Sequence, residues 1–181
     1  LSYSAPIVKT EVSGFVNEAL DESDNVDWIV KEINEWPDEE NENIWHMTEH
    51  DVVDLVFTGG MDGICRTESW LTGYYDTSEV ETSGLVHFKD VVVNYTGIFE
   101  GIIDGVYVQA AMTGRGVAEF SINVDESLPL EERISGYFDG TMKFTWVGDP
   151  NEVIGEISFT GIDYQIHEGI PLNYWGEFKS K

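Results

Sequence analysis

Basic side chains are scarce. Nine lysines and arginines stand against 35 aspartates and glutamates in 181 residues, a formal net charge of −26 at pH 7. Such a field repels phosphate backbones and anionic lipid, so no nucleic-acid partner is expected. Cysteine is nearly absent. Cys65 is alone, which excludes an intrachain disulfide and favours the cytoplasm over export. No apolar run approaches the ~18 residues of a membrane helix, so no membrane span is expected. The start at Leu1 shows neither the basic nor the apolar region of a signal peptide.

What is present suffices for a core. Hydrophobic residues make up 41% and aromatics 13%, which excludes a disordered chain, and the length suits one domain over residues 1–181. The acidity has two readings: a halophilic surface kept soluble in concentrated salt, or carboxylates that bind cations such as calcium. The acids are scattered as well as clustered, which favours the halophilic reading. On that reading the melting temperature rises between low and molar salt, because salt screens self-repulsion. A flat or falling trend in thermal unfolding would overturn it.

One phrase recurs three times. Thr58-Gly59-Gly60-Met61-Asp62-Gly63, Thr96-Gly97-Ile98-Phe99-Glu100-Gly101 and Ser135-Gly136-Tyr137-Phe138-Asp139-Gly140 start 38 and 39 residues apart (58 to 96, 96 to 135). A fixed period marks one supersecondary unit used repeatedly. Alternation tells which unit. From Val106 to Val124 the even positions are apolar or small and the odd positions largely polar; Ile134 to Val147 behaves alike. In a strand the phrase puts glycine, a large apolar residue and glycine on one face, as a small barrel interior requires. Strands are expected at about 7–15, 44–57, 60–75, 80–100, 105–124, 133–147, 153–167 and 171–179. Near Lys89-Asp90 the alternation slips: Val86 and Phe88 hold one phase, Val91, Val93 and Tyr95 the other. A bulge there restores register. The sequence thus predicts an all-β fold, an antiparallel eight-stranded closed barrel, with a two-sheet β-sandwich as the alternative.

Residues 17–43 form an acidic excursion. Within it Val26, Ile29, Val30 and Ile33 fall at helical spacing, and Pro37 would end a helix, so a short amphipathic helix is expected over Val26–Trp36. Asp21, Ser23, Asn25, Asp27 and Glu32 fit a calcium-loop spacing, but Val26 stands where that loop needs glycine. His46-Met47-Thr48-Glu49-His50 matches the H-x-x-E-H string of one zinc-peptidase class. That chemistry needs a helix, whereas Val52–Phe57 reads as strand; the plain alternative is two histidines on a polar strand face. Asn94-Tyr95-Thr96 is a sequon that reads as chance inside a strand.

Cys65, Thr67 and Ser69 share the phase of Met61, and Asp163 would turn inward too. The cysteine reads as a small hydrophobe rather than a nucleophile. Phe99, Met112, Phe120 and Phe138, with Thr67 and Ser69, are the candidate ligand-lining residues; the alternative is that the rings fill the core. No catalytic residue, metal ligand or cofactor is called for.

The Gly-x-aromatic-acid-Gly hairpins, with Phe57-Thr58-Gly59-Gly60-Met61-Asp62-Gly63 and Gly84-Leu85-Val86-His87-Phe88, resemble the allene oxide cyclase-like and dirigent-like eight-stranded barrels. That group includes bacterial families of unknown function. The resemblance spans about Ile44 to Phe178 and implies the barrel. It carries no catalytic residue, since the matched positions are structural. Three functions follow as expectations. The first is a non-enzymatic module binding a small hydrophobic ligand or a protein. The second is a cyclase- or isomerase-type enzyme acting on a hydrophobic small molecule. The third is a metal-dependent hydrolase using His46, Glu49 and His50.

Overall fold

Period-two sequence becomes strand throughout the computed structural model, which describes residues 10–14, 30–59, 61–103, 105–161 and 172–178. The strands are β1 (Thr10–Gly14), β2 (Val30–Pro37), β3 (Ile44–Gly59), β4 (Met61–Asp76), β5 (Leu85–Ile103), β6 (Val106–Asn123), β7 (Ile134–Trp146), β8 (Asp149–Gly161) and β9 (Leu172–Phe178). Two four-residue helices, α1 (Val80–Ser83) and α2 (Leu130–Arg133), sit in connections. No helix among the described residues is long and apolar enough to cross a membrane. The fold is all-β.

Every pairing is antiparallel, and the strands form one sheet in the order β1-β9-β8-β7-β6-β5-β4-β3-β2, with a further β1–β3 pairing. No second sheet, as a sandwich would need, occurs among the described residues. One edge of β3 is shared. β1 pairs with Leu55–Gly59, and β2 pairs with Trp45–Val52. Both run antiparallel to β3 along the same side of it, β1 toward Gly59 and β2 toward Ile44, and β1 pairs with β9 on its other side.

The expected helix over Val26–Trp36 is corrected from Val30 onward, where the chain is strand β2. The helical spacing was real, but Val30 and Ile33 are β-branched and favour extended backbone. The open edge of β3 then supplies a ladder of hydrogen bonds that overrides a weak helical preference. Pro37 ends the strand rather than a helix. Residues 17–29, with most of the calcium-loop pattern, lie outside the described residues, as does Asp163.

The slip in alternation is a bulge, as the sequence predicts. The register shifts between Phe88 and Val91 on the β6 side and between Thr72 and Tyr74 on the β4 side. Asp90 takes a left-handed φ of 50° there. Lys89 and Asp90 are exposed, so Phe88 and Val91 return to the same face.

That face holds the core. Phe57, Phe99 and Phe144, each 0% exposed, come from β3, β5 and β7. Their rings meet edge to face, with centroids 5.5, 6.4 and 6.0 Å apart. Small partners face them across the ladders: Gly63 opposite Phe57, Cys65 and Ala110 opposite Phe99, Gly155 opposite Phe144. Met61, Tyr95, Ile103, Val108, Met112, Met142 and Ile154 complete the cluster. The phrase behaves as expected at its second copy, where Phe99 is buried and Glu100 exposed. At the third, Phe138 is half-buried and Asp139 exposed.

Candidate functional site

The two ends of the sheet differ. At one end, where β3 ends at Gly59, β5 at Ile103 and β7 at Trp146 and the next strand starts within three residues, lie the three packed phenylalanines. At the other end lie the longer connections 38–43, 77–84 and 124–133. There the core face carries a row of rings in direct register: Trp45 opposite Tyr75, Tyr75 opposite Phe88, Phe88 opposite Phe120. Trp45 and Tyr75 stack at 6.4 Å and 3°; Phe88 and Phe120 stack at 4.6 Å and 9°; Tyr75 tilts by 39° onto Phe88 at 5.4 Å. The bulge makes this row possible, since without it Phe88 would face outward. All four rings are only half-buried. They form an apolar wall still open to solvent.

Polar groups edge this wall. Burial raises the Tyr75 phenol pKa, and the nearby Glu35 carboxylate raises it further. By register Glu49 and Asp51 of β3 also take this face, opposite Leu71 and Ser69. Deeper, Thr67 is 3% exposed and its hydroxyl donates to the Cys65 carbonyl at 3.1 Å. Tyr95 donates to the Thr141 carbonyl at 2.6 Å.

Cys65 sits at the packed end. Burial pushes its thiol up to about 11, against a smaller lowering by Thr67 and a further raise from Asp54. The thiol is therefore protonated and inert at neutral pH. Folding gains from the raised value fully below the ordinary thiol pKa, and that gain is lost as pH rises through about 11. At pH 8 Cys65 is expected to ignore Ellman's reagent until denaturant is added. Prompt stoichiometric reaction of the native protein would contradict this burial.

The histidines do not build the zinc motif. His46 and His50 lie on the outer face of β3, in register with Tyr74 and Trp70, whereas Glu49 lies on the core face. Four residues along a strand span roughly 13 Å, too far for one ion. Each imidazole instead meets a carboxylate, His46 with Asp38 and His50 with Glu68, both at 2.8 Å. His87 lies 3.0 Å from Glu79 and 2.6 Å from the Ser121 hydroxyl. No group of three or more metal-ligating side chains occurs among the described residues.

No family model, curated protein or solved structure matches the chain. Its chemistry must be read from its own geometry.

The structure divides the six candidate ligand residues. Phe99, Met112 and Thr67 belong to the packed end, at 0%, 1% and 3% exposure. Phe120 stands in the aromatic row. Phe138, opposite Ala118, and Ser69, opposite Tyr95, are half-buried between the two. Trp45, Tyr75 and Phe88 were not among the candidates. The phase of Met61 and Cys65, extended along β4, reaches Tyr75, and the bulge at Lys89-Asp90 already implied that Phe88 rejoins the inner face. Trp45 shares the phase of Phe57 along β3, as Tyr75 shares that of Cys65 along β4.

Proposed function

We propose that the strands close into an eight-stranded barrel of the allene oxide cyclase-like kind, and that its aromatic end binds a small hydrophobic ligand without transforming it. Closure is supported by β1, which pairs with β3 on one side and β9 on the other. The ligand reading rests on one observation: the row Trp45, Tyr75, Phe88 and Phe120 is stacked but half-exposed, while the opposite end is filled. A barrel that needed only a core would bury those rings too; apolar walls with few polar groups are the usual form of a ligand pocket.

The test is a titration with Nile red, an uncharged hydrophobic dye. The expected result is a saturable, blue-shifted signal with Kd raised about tenfold by Trp45→Ala or Phe88→Ala, the cost of roughly 1.4 kcal/mol of lost contact. Trp70→Ala, an exposed tryptophan on the outer face, should leave Kd unchanged. Unsaturable binding, or equal effects of all three substitutions, would overturn the reading.

A further inference from the structure

We infer that the outer face of β2, β3 and β4 binds a neutral, extended glycan chain through Trp36 and Trp70. This site is separate from the aromatic end, because it lies on the opposite face of the same strands.

The face is built from one unit used twice. Trp36 stacks on His46, with centroids 5.7 Å apart and an interplanar angle of 23°, and the Asp38 carboxylate lies 2.8 Å from that imidazole. Trp70 stacks on His50 at 5.4 Å and 11°, and the Glu68 carboxylate lies 2.8 Å from His50. Each indole therefore has one face backed by an imidazole that a carboxylate fixes in turn. Both indoles stay exposed, at 46% and 43%. Neither serves the core. A ring already fixed on the surface loses little freedom when a partner covers it, which favours binding.

The register sets the two units on one platform. Trp36, His46 and Tyr74 stand side by side across the three strands. Four residues along β3, His50 stands beside Trp70. The row between them is Asn34, Thr48 and Thr72, all uncharged. Four residues along a strand and two strands across place the tryptophans roughly 16 Å apart.

That pattern suits a chain of sugars. A pyranose presents an apolar C–H face and a rim of hydroxyls. Its weakly positive C–H groups complement the negative face of an indole. Its hydroxyls complement the Asn34 amide and the Thr48 and Thr72 hydroxyls, which both donate and accept. One sugar reaches one ring; a chain of several reaches both. Other polymers fit less well. The net charge of −26 repels nucleic acids and acidic glycans alike. An added peptide strand needs an open ladder, whereas β3 and β4 are paired on both sides here. A polyproline helix docks in an aromatic-lined groove, and the ground between these rings is polar.

The experiment is calorimetric titration with cellohexaose, xylohexaose and mannohexaose, three neutral linear probes, and with the corresponding disaccharides. At least one hexasaccharide is expected to bind about tenfold tighter than its disaccharide, because only the longer chain spans both rings. Trp36→Leu and Trp70→Leu keep apolar bulk but remove the ring, and each should weaken hexasaccharide binding about tenfold. Trp36→Phe and Trp70→Phe restore a ring face and should stay within about threefold of the unsubstituted protein. Tyr107→Ala, an exposed aromatic at the packed end, should change nothing. Thermal unfolding confirms that each variant is folded. The inference is overturned if no hexasaccharide binds, or if the disaccharides bind as tightly as the hexasaccharides. It is equally overturned if the leucine variants bind as well as the unsubstituted protein, or if a proline-rich peptide shows that tryptophan dependence and the glycans do not.

Discussion

Phe99→Ala is expected to destabilise the protein by ~3–5 kcal/mol, among the largest effects of any single core truncation. Phe99 is fully buried, and its ring edges meet both Phe57 and Phe144. Truncation removes the transfer energy of the ring and leaves a cavity. It also breaks two edge-to-face pairs, each worth about 0.5–1.5 kcal/mol beyond area. The surrounding backbone cannot collapse inward, because its cross-strand partners Cys65 and Ala110 are already small. In a chain of this length the loss lowers the melting temperature by on the order of 10 °C. Phe88→Ala is the contrast. That ring is half-exposed in the aromatic row, so truncation should cost only ~1–2 kcal/mol while it weakens dye binding. Thermal unfolding of both variants, with dye titration of each, reads the two ends separately. If Phe88→Ala proved as destabilising as Phe99→Ala, the aromatic row would be core and the ligand site would not exist.

The strands were legible because their signal is periodic and local. The alternation of Val106–Val124 and Ile134–Val147, and the phase slip at Lys89-Asp90, reappear as β6, β7 and a bulge. β2 was not legible. Its sequence shows helical spacing and no period-two alternation, and what makes it a strand is pairing along β3, a partner remote from any window of local sequence. The site failed differently. Burial phase identifies which residues face inward, and Phe99, Met112 and Phe120 do. It does not distinguish the filled end from the open one, since both carry aromatics at the same period. That distinction depends on which rings meet across the ladders. Phe57, Phe99 and Phe144 come from alternate strands and lock together, whereas Trp45, Tyr75, Phe88 and Phe120 come from consecutive strands and lie along one wall. H-x-x-E-H misleads for a related reason. Its chemistry assumes a helix, and on a strand the same string throws Glu49 to the opposite face from both histidines.

Gly101→Ala is expected to be as damaging as loss of a core ring, although it adds a single methyl group. Gly101 lies directly opposite Gly63, and both are glycines of the repeated phrase. A Cβ at Gly101 would sit 2.2 Å from the Asp62 carbonyl oxygen and 2.6 Å from the Gly63 Cα. Those are backbone atoms, so no rotamer change relieves the clash; β4 and β5 would have to separate. The close approach has a geometric origin. β5 runs for 19 residues, which extended would span roughly 60 Å, far beyond the dimensions of a domain this size. A strand of that length is expected to coil, and on the core face beside Phe57 and Phe99 the approach of β4 and β5 leaves room only for glycine at Gly63 and Gly101. Forced separation should cost ~3 kcal/mol or more, or prevent folding. Gly105→Ala isolates the steric term. Gly105 has a φ of +76° but open space around its Cβ position, so alanine there pays only backbone strain of ~1–2 kcal/mol. Denaturant unfolding of the pair should therefore rank Gly101→Ala well above Gly105→Ala. Equal losses would mean that the glycines of the phrase serve backbone freedom rather than close strand packing, and the curvature assigned to β5 would lose its support.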